Sequence, residues 1–204
     1  MADKQTEKIR EPQQKRSIEK KKRITEAGIK LIGERGYRNI TTADIAKEAG
    51  VSTGIVYSYF KDKRDILIAG LDSMVSSMQQ PLMDCMEKFE TEEDLMAVLP
   101  GIIDSFADFH REFIKPHQEL FSLAALDPEI YAYLEGMEKR LVDVLMKSYL
   151  KRKPALPHMR ERFHLAYHMI EIYCHESVFT PDAEYDYDAF RAEVLSCIGH
   201  LMQA

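Results

Sequence analysis

The sequence predicts an all-α protein of about nine helices, with an N-terminal three-helix head and a C-terminal helical body. Apolar residues recur at helical spacing along most of the chain, and no segment shows the apolar–polar alternation that is typical of a strand. Capping residues and prolines also stand where these helical patterns begin and end. Together, the spacing and the boundary residues favour helices in both parts of the chain.

The N-terminal residues divide into an arm and a first helix. Residues 1–16 have no apolar periodicity and carry five Lys and Arg residues, so we expect a disordered basic arm. Such an arm can contact a DNA backbone or minor groove, although solubility alone also explains its charge. From Ser17 the apolar spacing becomes helical, and Gly36 is expected to end this helix. We therefore expect an arm over 1–16, the head over 17–63 and the body over 64–204.

A helix-turn-helix is predicted within the head. Thr41 and Asp44 have the spacing of a capping box, which satisfies free backbone donors at the start of a helix. Gly50 supplies the left-handed conformation that ends this helix, and Ser52 or Thr53 can cap the next one. In such a unit the second helix enters the major groove of DNA, with its N-terminal residues nearest the base edges.

The second helix of this unit has a predicted buried side and a predicted exposed side. Its buried residues are Ile55, Val56 and Phe60. On the exposed side, the hydroxyls of Tyr57 and Tyr59 are suited to contacting phosphates, and Lys61 and Lys63 follow as point charges. The alternative is a small helical hairpin that packs internally and binds nothing.

The run from Ile40 to Lys63 resembles the DNA-binding signature of the tetracycline-repressor (TetR) family of bacterial regulators. The matching positions are Thr42, Asp44-Ile45-Ala46, Ala49-Gly50-Val51-Ser52, Gly54, Tyr57, Tyr59-Phe60, Lys61 and Lys63. The resemblance implies a three-helix DNA-binding head, a helical body that binds a small molecule, and a homodimer. It implies that phosphates are contacted by Thr42, Tyr57, Tyr59 and Lys63, and that bases are faced by Ala43, Ser52, Thr53 and Gly54.

Charge is distributed unevenly along the chain. Residues 1–64 hold 16 Lys and Arg against 9 Asp and Glu, whereas the whole chain has a net charge of −6. The head is therefore basic and the body acidic. This asymmetry favours an orientation with the head on the DNA phosphates and the body away from them.

Several other classes of protein are not supported by the sequence. No apolar run is long enough to span a membrane and the N-terminus is charged, so we expect a cytoplasmic protein without membrane contact. Three widely spaced cysteines indicate neither a disulfide framework nor a zinc knuckle. The chain has no Gly-rich phosphate loop, H-E-x-x-H pair or nucleophile elbow, and we therefore expect no catalysis and no cofactor.

Helix boundaries in the body are predicted from capping residues and prolines. Asp62 and Thr91 are each followed three residues later by Asp, which predicts two helix starts. Pro100 is expected to kink or divide the helix that follows, and Pro116 to start a short one. Asp127 followed by Pro128 predicts the start of a long helix.

The last two helices are expected at about 158–179 and 187–202. Both are amphipathic and need a partner surface. The family resemblance implies that they pair with their copies across a two-fold axis, which would make the protein a homodimer. The alternative is that both helices are buried within one subunit.

A small-molecule pocket is expected in the body, lined by aromatic, flexible or polar residues on inward faces. The candidates are Phe106, Phe109, His110, Phe113, Phe121, Met137, Tyr167 and Glu171. Taken singly, most of them are more simply explained as plain core. Such a lining suits a mid-sized and largely apolar ligand, and the acidic body leaves room for a cationic one.

Histidines and a glutamate form one further pattern in the body. His164, His168, Glu171 and His175 lie at spacings that place them on one stripe of a helix. Imidazole and carboxylate groups are ligands of zinc and copper, so a metal sensor is one interpretation. A polar stripe that hydrogen-bonds across a dimer interface is the other, and we assign no metal ligand from the sequence.

The function that these patterns favour is a ligand-responsive transcriptional regulator, most simply a repressor. It would bind a palindromic double-stranded DNA operator as a homodimer and be released by a small-molecule effector. The alternative from another class is an architectural protein that binds DNA with little sequence preference and has no effector.

Overall fold

The computed structural model describes residues 6–91 and 94–203, with the side chains of residues 6–14 and 79 excepted. Within this part of the chain there are nine α-helices and no strand, which confirms the predicted fold class. The helices are α1 Thr6–Arg35, α2 Thr42–Glu48, α3 Thr53–Tyr57, α4 Lys63–Thr91, α5 Leu95–Glu112, α6 Ile114–Ala124, α7 Pro128–Leu150, α8 Met159–Cys174 and α9 Tyr187–Leu201. A 3₁₀ turn spans Tyr37–Asn39, and a π-helical turn spans His175–Phe179.

The chain divides into two compact units after Ser73, which lies within α4. The sequence analysis placed the boundary ten residues earlier, at the start of that helix. The first turns of α4 belong to the head because Ile66 and Leu67 are fully buried there, and a β-carbon at Gly28 of α1 would lie only 2.5 Å from Ile66 Cγ2.

The head has an apolar core that draws on all four of its helices. Its most deeply buried side chains are Ile24, Leu31, Ile32, Ile40, Ile45, Val56, Ile66 and Leu67. This core fixes the three helices that the sequence analysis assigned to the head, together with the start of α4.

Helix α1 begins earlier than the sequence analysis expected. Residues 6–16 fall within α1, whereas a disordered arm was expected over residues 1–16, and residues 1–5 lie outside the described part of the chain. The segment is rich in Glu, Lys, Gln and Arg, which have good intrinsic helix propensity. The missing apolar periodicity was therefore no argument against a helix.

The body has two apolar clusters. The larger joins α4, α5, α8 and α9 through buried residues that include Phe106, Ile170 and Ile198. The smaller contains Phe89, Val98, Val142, Tyr149 and Phe163. Since α8 packs on α5, α7 and α9, it is the central helix of the body.

Helix starts in the body follow the predicted caps with one exception. Asp127 caps α7 with Pro128 in its first turn, as predicted. The predicted cap at Thr91 is wrong, because Thr91 is the last residue of α4 and its hydroxyl donates to the carbonyl of Lys88. Asp94 caps α5 instead, accepting a hydrogen bond from the Met96 amide at 2.9 Å.

Prolines interrupt the body helices less than expected. Pro81 and Pro100 lie inside α4 and α5, and neither divides its helix. Burial of Leu99 and Ile102 on either side of Pro100 holds both halves of α5 against one core, which offsets the lost hydrogen bond. Pro116 is the third residue of α6, so the predicted short helix begins two residues earlier.

None of the helices in the described ranges is both long and apolar enough to cross a membrane.

We expect Gly28→Ala to destabilise the head, because the new methyl group would overlap Ile66 Cγ2. Overpacking costs about 1–3 kcal/mol, and better helix propensity returns up to about 1 kcal/mol, so a net loss of about 1–2 kcal/mol should appear in thermal or urea unfolding. Gly54→Ala in α3 is the matched control. Its β-carbon would meet only Ser52 Oγ, at 4.0 Å, so its stability should be unchanged or higher. Equal losses in the two variants would contradict this account.

Candidate functional site

The helix-turn-helix begins with the predicted capping box. The Thr41 amide donates to Asp44 Oδ2 at 2.8 Å, and the Asp44 amide donates to Thr41 Oγ1 at 3.2 Å. Hydrogen bonds from Thr41 hold the pKa of the Asp44 carboxyl below its ordinary value. The start of α2 is therefore set by contacts within four residues.

The turn after α2 is a Schellman motif. The Gly50 amide donates to the carbonyl of Lys47 at 3.2 Å and the Val51 amide to that of Ala46 at 3.0 Å, while Gly50 has a φ of 64°. The guanidinium of Arg23 donates to the carbonyl of Ala49 and thereby ties α1 to the end of α2. These hydrogen bonds fix the backbone conformation of the turn.

Helix α3 starts directly after this turn with its N-terminal end exposed. Ser52 is its cap and accepts from the Ile55 amide at 3.3 Å. Val56 and Phe60 anchor the helix in the core, whereas Ile55 is only half-buried. Tyr57 is 57% exposed, so the predicted outer face does face outward.

The nine residues predicted to contact DNA fall into two groups. Exposed are Ala43, Ser52, Gly54, Tyr57 and Lys61. Half-buried are Thr42, Thr53, Tyr59 and Lys63. All nine lie between the start of α2 and the first residue of α4, a stretch that includes the turn and α3, so they lie on the elements that a helix-turn-helix presents to DNA.

Two of the predicted phosphate contacts also have partners within the head. Tyr59 Oη lies 3.1 Å from Ser17 Oγ of α1. Lys63 Nζ donates to the carbonyls of Tyr37 and Ile40 at 2.7 and 3.0 Å and lies 4.3 Å from the centre of the Tyr37 ring. A lysine has three donors, so one remains for a phosphate. The sequence analysis missed this structural role because it depends on carbonyls more than 20 residues away.

The fold of the head would accommodate a larger residue than glycine at position 54 of α3. Apart from Ser52 Oγ at 4.0 Å, a β-carbon there would meet open space. The missing side chain therefore leaves the N-terminal end of α3 bare, which permits close approach to a DNA groove.

The body contains an apolar cavity with a volume of about 50 Å³. Its lining is Met86, Phe89, Leu95, Leu99, Ile102, Phe106, Leu145, Tyr149, Phe163, Ala166, Tyr167, Ile170, Ile198 and Met202. No lining residue carries a charge. The walls therefore suit an apolar group.

Of the eight predicted pocket residues, Phe106 and Tyr167 line this cavity and the other six do not. Met137 is half-buried on α7. The other five residues that do not line the cavity are Phe109, His110, Phe113, Phe121 and Glu171. Cavity residues such as Leu145 and Ala166 were missed because core and cavity walls both require apolar side chains, so no signal in the sequence separates them.

The predicted His and Glu stripe of α8 contacts two different sets of partners. His164 Nδ1 and His168 Nε2 lie 2.6 and 3.3 Å from Glu138 Oε1 on α7. Glu171 and His175 lie beside His110 of α5. The four residues share a face, but His164 and Glu171 are about 10 Å apart along the helix axis, so the stripe is not one site.

Tyr167 lies between the cavity and the second of these sets. Burial raises the pKa of its hydroxyl, and the Glu171 carboxylate raises it further. The hydroxyl therefore stays protonated and donates a hydrogen bond to Glu171.

Comparison with known proteins identifies the head. Residues 24–69 match the family model described as bacterial regulatory proteins, tetR family. The HTH-type transcriptional regulator BetI of Escherichia coli K12 is 25% identical over 138 residues, which cover 66% of this chain and 70% of BetI. Residues 24–69, which the family model matches, contain α2, the turn and α3.

Solved structures share the fold over nearly the whole chain. A regulator from Mesorhizobium loti assigned to the TetR family has a TM-score of 0.74 at 15% identity, covering 92% of this chain and 96% of its own. A TetR-family transcriptional regulator from Streptomyces coelicolor has a TM-score of 0.61 at 21% identity, covering 90% and 97%. Residues 24–69 therefore carry the DNA-binding domain of the TetR family of bacterial transcriptional regulators, and the whole chain shares the fold of TetR-family structures.

Proposed function

We propose that this regulator is a repressor that binds a palindromic operator as a homodimer and is released by a small apolar effector. The observation that carries the proposal is that the N-terminal end of α3 is exposed and has no side chain at Gly54. The Schellman turn separates this end of α3 from α2. The basic head and the acidic body support the same orientation on DNA.

In the proposed complex, α3 lies in the major groove. Ser52, Thr53 and Gly54 face the base edges, and Ala43 of α2 offers a methyl group to a thymine methyl. Phosphates are contacted by Thr42, Tyr57, Tyr59, Lys61 and Lys63. Two such heads require half-sites about one helical turn apart, roughly 34–36 Å.

The proposed dimer uses α8 and α9. Leu165 and Ile172 of α8 are 49% and 55% exposed, and with half-buried Met169 they form a stripe at helical spacing. An apolar stripe on the central helix of the body costs free energy in water and is covered when two copies pair across a two-fold axis.

The proposed effector enters the cavity of the body. Since its lining is uncharged, an aliphatic or aromatic group fits it better than an ion. Effector binding would favour a conformation in which the two heads no longer match the half-site spacing. A coupling of about 1–3 kcal/mol changes the affinity for DNA about 5- to 150-fold, which is enough to switch a gene.

Footprinting on fragments around the gene for this protein, at near-physiological salt, tests the proposal directly. We expect one protected palindrome. Binding that survives only at low salt and protects no defined sequence would instead favour the sequence-tolerant architectural protein.

Tyr57→Phe should weaken binding to every DNA sequence by a similar factor, because a phosphate contact carries no sequence information. Fluorescence anisotropy on operator and random duplexes measures this, with Tyr131→Phe on α7 as an exposed tyrosine control. Thr53→Ala should instead relax preference at one base pair. A change of base preference alone in Tyr57→Phe would refute its assigned role.

Ile172→Glu should convert the dimer into monomers, because it places a charge in the proposed apolar interface. Size-exclusion chromatography with light scattering measures the mass, and operator affinity should fall in parallel. Leu126→Glu, at a position 67% exposed and outside α8 and α9, is the matched control and should stay dimeric. A dimeric Ile172→Glu protein would remove α8 from the interface.

Ala166→Leu should abolish release by an effector without changing operator affinity, because the added carbons fill the cavity. Fatty acids and alcohols of increasing chain length are suitable probes of release from operator DNA, followed by anisotropy. Ala132→Leu, at an exposed position of α7, should respond like the unmodified protein. Release that persists in a folded Ala166→Leu protein would place the effector elsewhere.

A further inference from the structure

Four possible metal ligands converge in the body from four different segments. His110 lies on α5, His117 on α6, Glu171 on α8 and His175 in the π-helical turn. One ligand atom from each lies within 4.8 Å of all the others. The side chains of His110 and Glu171 are 1% and 13% exposed and that of His175 is 33% exposed, so the cluster is largely buried and reaches the surface at His175.

One ring nitrogen of each histidine in this cluster lacks an ordinary partner. Among the described residues, His110 Nε2, His117 Nδ1 and His175 Nε2 are all buried without a hydrogen bond. Both Nε2 atoms lie 3.4 Å from Glu171 Oε2, too far for a well-formed hydrogen bond. Leaving several buried polar atoms unsatisfied is costly, so the arrangement calls for an explanation.

The spacing has a simple explanation in metal coordination. A tetrahedral zinc ion with ligands at about 2.0–2.1 Å has neighbouring ligand atoms about 3.3 Å apart. The two contacts of 3.4 Å between Glu171 Oε2 and the histidine nitrogens match this edge. Two of the six distances between the four ligand atoms therefore already fit a tetrahedral zinc ion, and the other pairs lie within 4.8 Å.

His110 is held in the tautomer that a metal requires. Its Nδ1 lies 2.7 Å from the carbonyl oxygen of Phe106, which can only accept a hydrogen bond. The ring therefore carries its proton on Nδ1 when neutral, and the lone pair of Nε2 points toward Glu171. A histidine bound to a metal usually makes this kind of second contact.

The donor set of the cluster, three imidazoles and one carboxylate, suits a metal cation better than a proton. A proton on one imidazole would neutralise the carboxylate and still leave the other nitrogens unpaired, whereas one metal ion contacts all four groups.

Aromatic rings shield the cluster from water. Phe121 lies 4.7 Å from the ring of His117, and Phe179 lies 4.9 Å from that of His175, measured between ring centres. The nearby Cys174 is buried and is not among the groups whose ligand atoms converge here. The ligand set is therefore three imidazoles and one carboxylate.

We propose that His110, His117, Glu171 and His175 bind one divalent transition-metal ion, with Zn²⁺ as the best match. Three imidazoles suit zinc and its first-row neighbours, whereas Mg²⁺ and Ca²⁺ prefer oxygen ligands. The site is closed, since all four positions come from the protein, and this is typical of metal sites that hold a structure together. The π-helical turn that carries His175 belongs to a class of distortion frequent at functional sites.

A second group on α7 and α8 provides an internal control. Glu138, His164 and His168 offer only three ligand atoms, and the side chains of His164 and His168 are 54% and 46% exposed. His164 Nδ1 already lies 2.6 Å from Glu138 Oε1. This group is satisfied without a metal, and its histidines can be replaced without touching the proposed site.

Titration of chelator-treated protein with Co²⁺ tests the proposal, because tetrahedral Co²⁺ gives intense visible absorption bands that octahedral Co²⁺ does not. We expect one equivalent per chain, full displacement by Zn²⁺, and a rise in the melting temperature with Zn²⁺. Loss of an outer contact typically costs about 10- to 100-fold in metal affinity, so Glu171→Gln and His175→Gln should each weaken binding by at least about 100-fold.

The control protein His164→Gln/His168→Gln should keep the bands and the stoichiometry. Circular dichroism identifies any variant that fails to fold. If Glu171→Gln does not fold, His175→Gln takes its place in the test, because His175 is the more exposed of the two residues. Absence of tetrahedral bands in the unmodified protein would overturn the proposal. So would bands that survive in a folded Glu171→Gln or His175→Gln protein, or bands that are lost in the control.

Discussion

The closure of α2 at Gly50 is the constraint on which the DNA-binding face depends. The left-handed φ of 64° reverses the chain, the Schellman hydrogen bonds satisfy the last carbonyls of α2, and Arg23 fixes the same end to α1. With the turn set, burial of Val56 and Phe60 determines which side of α3 faces outward. Replacement of Gly50 by a larger residue would strain this turn and alter the angle between the two helices.

The body depends in a similar way on α8, which contacts different neighbours at different levels. Its apolar residues Ala166 and Ile170 face the core and the cavity, and its polar residues reach α7 near one end and α5 near the other. Tyr167 and Phe106 belong to the cavity wall, while Glu171 and His110, each four residues further along the same helices, belong to the proposed metal site. A ligand in either place would therefore stiffen the same pair of helices, α5 and α8, which gives the two sites a physical route to influence each other.

Several residues serve the fold and the interface together. Lys63 has a phosphate role by resemblance, yet its ammonium group also ties Tyr37 and Ile40 to the start of α4. Tyr59 is likewise placed by Ser17 of α1. Substitution at these two positions would change the stability of the head along with its affinity for DNA, whereas Gly54 and Tyr57 have no such internal contacts among those described.

The sequence by itself determined the features that depend on local contacts. These are the helical class, the capping box at Thr41, the turn at Gly50 and the start of α7 at Asp127. Each of these depends on hydrogen bonds within a few residues, so the pattern is visible in the chain. Only the tertiary structure decided which residues meet over long separations. It brought His110 and His117 to Glu171 and His175, separated His164 and His168 from them along the axis of α8, and placed six of the eight predicted pocket residues outside the cavity. The physical reason is that the apolar spacing of a helix specifies which face is buried, but not which neighbour covers that face or where the packing leaves space.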